Sequence, residues 1–267
     1  APLLRAARKA FSKSDPARDA GLKGVQSAIR ALNKTAQRLF PQVASRSAGP
    51  VSQIKVFGFG SGRVEVGGGA IPGSAWGSAT ARQLLFYMLI HKTRTREEIA
   101  TAFWPDLTAQ KAKPTFHTTK FRLSRALGQD AIDFDGRVYT LHPDLAIWFD
   151  VDQFRQNLSA WRETQNVDFL VEAVDLYTGD FLTECYTDWC EAEREALRVS
   201  CLEASERLAE RLLARRQYRR AVHALRQALT LEPARETFHQ QLMRAYALSG
   251  ERSQALEQYD LCKAALR

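Results

Sequence analysis

The chain has 267 residues, 45% of them hydrophobic and 25% charged, proportions that exclude wholesale disorder, a collagen-like fibre and a membrane channel. No apolar run approaches the ~18 residues needed to cross a bilayer, and the first 15 residues mix Arg, Lys and Asp, unlike a secretory signal. The net charge of +8 is uneven: residues 1–48 carry +8, residues 49–146 carry +4 and residues 147–267 carry −4, which puts a polyanionic partner nearer the front.

Residues 1–48 read as a basic helical lead-in. Leu3–Phe11 is compatible with helix, Ser14-Asp15-Pro16 interrupts it, and Val25, Ile29, Leu32, Ala36 and Leu39 recur at helical spacing until Pro41. Ser45–Pro50 is a linker by composition. Two readings stay open for this lead-in: the end of a larger sensor or helical array, or an arm that touches DNA. The apolar stripe favours packing, since a disordered arm needs none.

From residue 51 the period changes to two. Ile54, Val56 and Phe59 suggest one strand and Arg63–Val66 a second, with Gly60-Ser61-Gly62 turning between them. These glycines do not make a phosphate loop, because neither GK[ST] nor GxGxxG is present. Three helical stretches follow. Thr80–His91 carries Leu84, Leu85, Met88 and Leu89 as its apolar stripe, and Thr95 with Glu98 forms a capping box for a second helix that ends before Pro105. Pro114, favoured in a first turn, opens a third that Gly128 closes. Asp135-Gly136, inside Ala131–Leu141, predicts a hairpin.

After Pro143 the chain is expected to be almost entirely helical. Ala221, Ala228 and Pro233 stand at tetratricopeptide spacing, Ala255 follows Ala221 by 34 residues, and Tyr246 takes the tyrosine position of that next repeat. Phe169–Leu182, with Ala173 and Tyr177, reads as a divergent unit. The expected fold is therefore mainly α with a small β component: the lead-in, a strand–helix module over 51–144, and a tetratricopeptide-like α-solenoid over 148–267.

The third helix is the most informative for function. Phe116, Leu123 and Leu127 line one stripe, flanked by Thr119 and Ala126; the opposite side shows Thr118, Arg122 and Arg125, with His117 and Phe121 at its edges and Thr115 one turn earlier. Small hydroxyls and arginines on one side of a short helix suit a DNA major groove, although a solvated charged face has the same composition. A polar loop before this helix makes a helix-turn-helix pattern, and the hairpin after it offers a wing. Lys111 and Lys113, expected on that loop, and Arg137, just after the hairpin turn, are placed to meet phosphates or the minor groove.

Arg215, Arg216, Arg219 and Arg220 cluster at a turn between paired helices, either simply solvated or holding an acidic partner or anionic effector. The four cysteines, Cys185, Cys190, Cys201 and Cys262, form no CxxC and have no zinc-spaced histidine, so they read as small buried hydrophobes and imply no metal or cofactor. His117, His142, His223 and His239 have no nucleophile at motif spacing, which argues against an enzyme.

Residues 54–142 resemble a winged helix of the OmpR/PhoB type with its extra N-terminal sheet. Phe116–Gly128 resembles the recognition helix of regulators that carry a bacterial transcriptional activator domain, as the Streptomyces antibiotic regulatory proteins do. Tyr177-Thr-Gly-Asp-Phe-Leu182 and Asp188-Trp-Cys-Glu-Ala-Glu-Arg-Glu-Ala-Leu-Arg198 are similar to that family's repeat domain. The resemblance implies a cytoplasmic, sequence-specific transcription regulator with double-stranded DNA as its partner. His117, Thr118, Phe121, Arg122 and Arg125 then face DNA, while Lys120 stands where an apolar residue is usual. It also implies a repeat domain that serves a homodimer on DNA, RNA polymerase contact or signal input, with Trp189, Glu191, Glu193 and Arg194 opening a long helix that packs the repeats together. The rival is a protein-interaction scaffold whose winged helix no longer binds DNA.

Overall fold

The computed structural model describes residues 53–267, so the expected helices and linker of the lead-in lie outside the described residues. Strands β1 (Ile54–Phe57) and β2 (Arg63–Val66) pair antiparallel with Val56 opposite Val64, and β3 (Gly69–Ala70) extends the sheet beside β2. Alternation decides which side is buried: Ile54, Val56 and Val64 point inward. A 3-10 turn (Gly73–Trp76) leads to α1 (Ala79–His91), whose first turn is capped by the Ser78 hydroxyl accepting from the Ala81 amide. Strand β4 (Thr93–Arg94) precedes α2 (Arg96–Phe103). The expected capping box is present: Thr95 Oγ1 accepts from the Glu98 amide at 3.2 Å, and Glu98 Oε2 accepts from the Thr95 amide at 2.7 Å.

The third helix, α3, runs Ala109–Leu127. It starts five residues earlier than the proline predicts. Proline lacks only the bond to the Gln110 carbonyl there, while Ala, Gln and Lys favour helix and Ala112 is buried. Lys111 and Lys113 therefore sit on the helix and not on a preceding loop. After Gly128 the chain forms β5 (Ile132–Phe134) and β6 (Tyr139–Leu141), a hairpin that β4 joins in the order β4-β6-β5. Asp135 holds its turn, its Oδ1 accepting from the amides of Arg137 (2.8 Å) and Val138 (2.9 Å).

The stretch after Pro143 departs from its helical expectation in two places. Ile147–Phe149 forms β7, which pairs parallel with β1 and sets Phe149 opposite Val56, giving a sheet of order β3-β2-β1-β7. A three-residue strand whose partner lies some ninety residues upstream has no local signature. Helices α4 (Asp150–Thr164) and α5 (Val167–Leu176) then form a hairpin, but the chain leaves helix at Tyr177. Gly179–Thr187 instead clips onto the end of β1: the Leu182 amide donates to the Gly58 carbonyl at 3.0 Å, the Gly60 amide to the Asp180 carbonyl at 2.9 Å, and the Thr183 amide to the Gly60 carbonyl at 2.9 Å. A Cβ on Gly58 would stand 2.8 Å from the Phe181 ring, so only glycine admits this approach.

Helices α6 (Asp188–Ala214), α7 (Tyr218–Leu231), α8 (Glu236–Ser249) and α9 (Arg252–Ala265) stack as successive antiparallel neighbours. Ala221, Ala228 and Tyr246 are buried among these helices. Trp189 opens α6 as expected, yet it packs against the front helices and not only the repeats, with its ring centroid 5.2 Å from Tyr87 and 6.1 Å from Phe103.

A buried carboxylate and a half-buried guanidinium secure this seam. Asp150, at the start of α4, accepts from the amides of Gly58 (2.7 Å), Phe59 (3.2 Å) and Val151 (2.8 Å), and burial pushes its carboxyl up to about 6. Arg194 on α6 donates to the carbonyls of Phe181 (2.8 Å), Leu182 (2.7 Å) and Cys185 (2.6 Å). No described helix is long and apolar enough to cross a membrane.

Candidate nucleic-acid interface

The inner side of α3 fixes its orientation. Ala112, Phe116, Thr119, Leu123 and Leu127 are buried, and Phe116 meets Tyr139 of the hairpin at 4.7 Å between ring centroids. At 100° per residue the opposite direction falls on Phe121 and Arg125, with Thr118 beside them. Phe121 is 65% exposed, so it stands at the middle of the outward face and not at its edge. Arg122 takes the border instead, half-buried, while His117, Thr118 and Arg125 are exposed.

The arginines are held against the turn that precedes α1. Gly77 follows the 3-10 turn with φ +66, and a Cβ there would lie 3.2 Å from Arg125 Nη2 and 3.6 Å from Arg122 Cδ. A side chain at this position would displace both guanidinium groups or their stems. The missed signal was Pro72-Gly73 with Trp76 close behind, a buried apolar anchor for an otherwise exposed turn.

The threonines are less free to donate than their hydroxyls suggest. Thr115 Oγ1 donates to the Lys111 carbonyl at 2.9 Å and Thr118 Oγ1 to the Pro114 carbonyl at 3.0 Å. Their protons are engaged within the helix, so they present a methyl and oxygen lone pairs. Thr115 is only half-exposed. Lys120 lies half-buried with Nζ 6.0 Å from the Tyr139 ring centroid, its stem following the core edge.

Lys111 and Lys113 are both exposed, but two residues along a helix turn about 200°, so they project to different sides and reach different phosphates. Arg137 is exposed at the hairpin tip. Phe134 is 45% exposed beside it, stacked on Tyr139 at 4.5 Å. Ser124 ties the end of α3 to the hairpin by accepting from the Ala131 amide at 3.1 Å. Among the described residues none of Lys111, Lys113, Arg122, Arg125 and Arg137 forms a salt bridge.

The remaining arginine cluster lies elsewhere. Arg215, Arg216, Arg219 and Arg220 are exposed around the α6–α7 turn, where Arg216 adopts φ +57 and Arg220 donates to Gln217 at 3.1 Å. Arg219 and Arg220 border a groove of about 400 Å³ with Asp175, His223 and Gln227. His239 is a core residue, hydrogen-bonded to the Pro233 carbonyl at 2.8 Å.

Residues 149–267 match the model of a family described as the bacterial transcriptional activator domain. No curated protein matches the chain significantly. Among solved structures, Mycobacterium tuberculosis EmbR, in complex with a low-affinity phosphopeptide, is similar at 22% identity with a TM-score of 0.61, over 81% of this chain and 60% of that one. That likeness is one of fold, and the chain spans less than two thirds of that neighbour's length. The match begins at the last residue of β7 and runs through α4–α9, so those helices are similar to a bacterial transcriptional activator domain.

Proposed function

We propose that the protein regulates transcription by binding duplex DNA in a sequence-dependent way, with α3 in the major groove. In this reading residues 51–144 are a winged helix-turn-helix of the OmpR/PhoB type, α2 and α3 form its helix pair, and the β5–β6 hairpin is the wing. Residues 148–267 are a tetratricopeptide-like regulatory domain, the location of contacts with a second copy or with RNA polymerase. The observation that carries the reading is the outward band of α3. Thr118, Phe121, Arg122 and Arg125 lie side by side on a helix whose inner side is firmly packed, and among the described residues neither arginine has a carboxylate partner. Lys111, Lys113 and Arg137 would supply salt-sensitive affinity through phosphates, and Arg122 and Arg125 would read guanine edges. Phe121 and the Thr118 methyl suit a thymine methyl.

The similarity of residues 149–267 to a bacterial transcriptional activator domain supports the same reading. A winged helix is compact, so two copies on tandem or inverted half-sites are expected. The α6–α7 turn arginines are a secondary proposal, a seat for an acidic partner or an anionic effector.

The scaffold alternative draws on one feature, the exposed Leu256 and Tyr259 on α9 with Leu266 just after it. Selecting bound duplexes from a random pool separates the two. Recovery of a motif whose enrichment disappears with Arg122→Ala and Arg125→Ala supports the regulator, and a pool that never converges supports the scaffold.

A further inference from the structure

Two of the four buried cysteines are neighbours in space. Cys185 lies in the clip that follows α5 and Cys190 in the first turn of α6, and both thiols are free. Both belong to one cluster with Thr187 and Arg194. Cys185 Sγ also sits 3.3 Å from Thr187 Oγ1, and the Cys190 amide donates to the Thr187 carbonyl at 2.9 Å. Arg194 closes the cluster, with Nη2 2.6 Å from the Cys185 carbonyl and 3.8 Å from Cys190 Sγ. Cys201 and Cys262 have no such thiol partner among the described residues. Cys185 is buried while Glu184 and Tyr186 on either side of it are exposed, and Leu182 holds the loop's start at φ +44.

We propose that Cys185 and Cys190 form a reversible disulfide on exposure to a peroxide, with Cys185 as the attacking thiol and Cys190 as the resolving one. In the first step the Cys185 thiolate bonds to one peroxide oxygen and the O–O bond breaks. The hydroxide that leaves takes the proton Cys185 released, giving water and a sulfenic acid. In the second step the Cys190 sulfur, losing its proton, bonds to the Cys185 sulfur. The S–O bond breaks and the departing hydroxide takes that proton as a second water. Two electrons pass from the pair of sulfurs to the peroxide.

Local chemistry assigns the roles. The neighbouring Cys190 thiol, with help from Thr187 and the Arg194 guanidinium, holds the Cys185 thiol below its ordinary pKa, whereas the Cys190 thiol is pushed up. Sulfenic acid forms at the thiol with the greater thiolate character. The site lies within the seam, on the segment that Arg194 fastens and that pairs with the end of β1. A bond here therefore changes the stability of the junction between the front module and the helical repeats.

The test is to treat the full chain with hydrogen peroxide, digest it without reduction and map the linked peptides by mass. The account expects one linkage joining Cys185 to Cys190, a loss of about 2 Da for the two hydrogens removed, and full reversal by a dithiol. Cys190→Ser should leave a sulfenic acid on Cys185 that a dimedone probe traps, while Cys185→Ser should abolish both linkage and trapping. Cys201→Ser and Cys262→Ser should link as the parent does. Melting curves identify any variant that fails to fold; for such a variant, the linkage map of the unmutated chain alone decides. A linkage through Cys201 or Cys262, or a treated chain in which Cys185 and Cys190 both still alkylate as free thiols after unfolding, overturns the proposal.

Discussion

The cations of α3 and those of the seam have opposite surroundings. At the seam, Arg194 donates to three backbone carbonyls, Arg155 pairs with Glu193, and in the repeats Arg235 bridges Glu206 and Glu232. Each of these guanidinium groups completes a set of partners inside the protein. On α3, Arg125 is exposed, Arg122 is braced only along its stem by the Gly77 turn, and neither has a carboxylate among the described residues. A fold that pairs its structural arginines so thoroughly leaves the α3 set available to an external anion. Exposure alone does not make that argument, because Arg215 and Arg219 are exposed as well. They lie around a turn, whereas the α3 set shares a rigid helix face with a phenylalanine and a threonine methyl.

The comparison is broken most severely from the inside of α3. Phe116→Ala removes the ring that packs on Tyr139 and should cost about 3–5 kcal/mol of stability, abolishing any DNA binding together with the fold, as thermal or denaturant unfolding will show. At the seam, Asp150→Ala leaves the buried amides of Gly58 and Phe59 without an acceptor. Each should cost about 1–3 kcal/mol, read as a lower denaturation midpoint. The pH dependence is specific to this residue. Its carboxyl sits at about 6 when folded against an ordinary 3.8, so the folded state holds the proton more tightly than the unfolded chain. Its contribution to stability should therefore fall as pH rises from about 4 to about 6, and Asp150→Asn should flatten that slope in unfolding midpoints measured across the range.

On the outward face the expected effects are on binding, with the melting temperature unchanged. Arg122→Ala should weaken a preferred duplex by ~1–3 kcal/mol and relax base preference in a titration against substituted sites. Lys111→Ala should weaken every duplex alike and reduce the slope of log affinity against log salt by about one. Lys113→Ala should act independently of it, because the two side chains leave the helix on different sides.

Much of the front module was legible because its signals are local. Thr95 and Glu98 announce a cap three residues apart, and Asp135-Gly136 announces a turn in two. The alternation of Ile54, Val56 and Val64 orients the sheet. Where local preference competes with packing it misleads: Pro114 looks like a helix start, yet buried Ala112 and the run of helix formers before it extend α3 by more than a turn. Non-local features were not legible. β7 exists only because Ile147–Phe149 meets a strand near the other end of the module, and the Gly179–Thr187 clip exists only because Gly58 admits Phe181. Trp189 was recognisable as an anchor, but nothing nearby in sequence says that its partners are Tyr87 and Phe103. The candidate interface was found through the two-sided pattern of α3. Its centre was misplaced by a residue because a helical wheel drawn from Pro114 could not show that Gly77 half-covers Arg122.

The most direct test is the ratio of affinities for a selected duplex and for the same base composition scrambled, measured at one salt concentration for the parent chain and for the Arg122→Ala, Arg125→Ala double variant. The account predicts a parent ratio well above one that falls by at least about tenfold in the variant, roughly 1.4 kcal/mol or more, with an unchanged melting temperature. A ratio equal in the two proteins would contradict it.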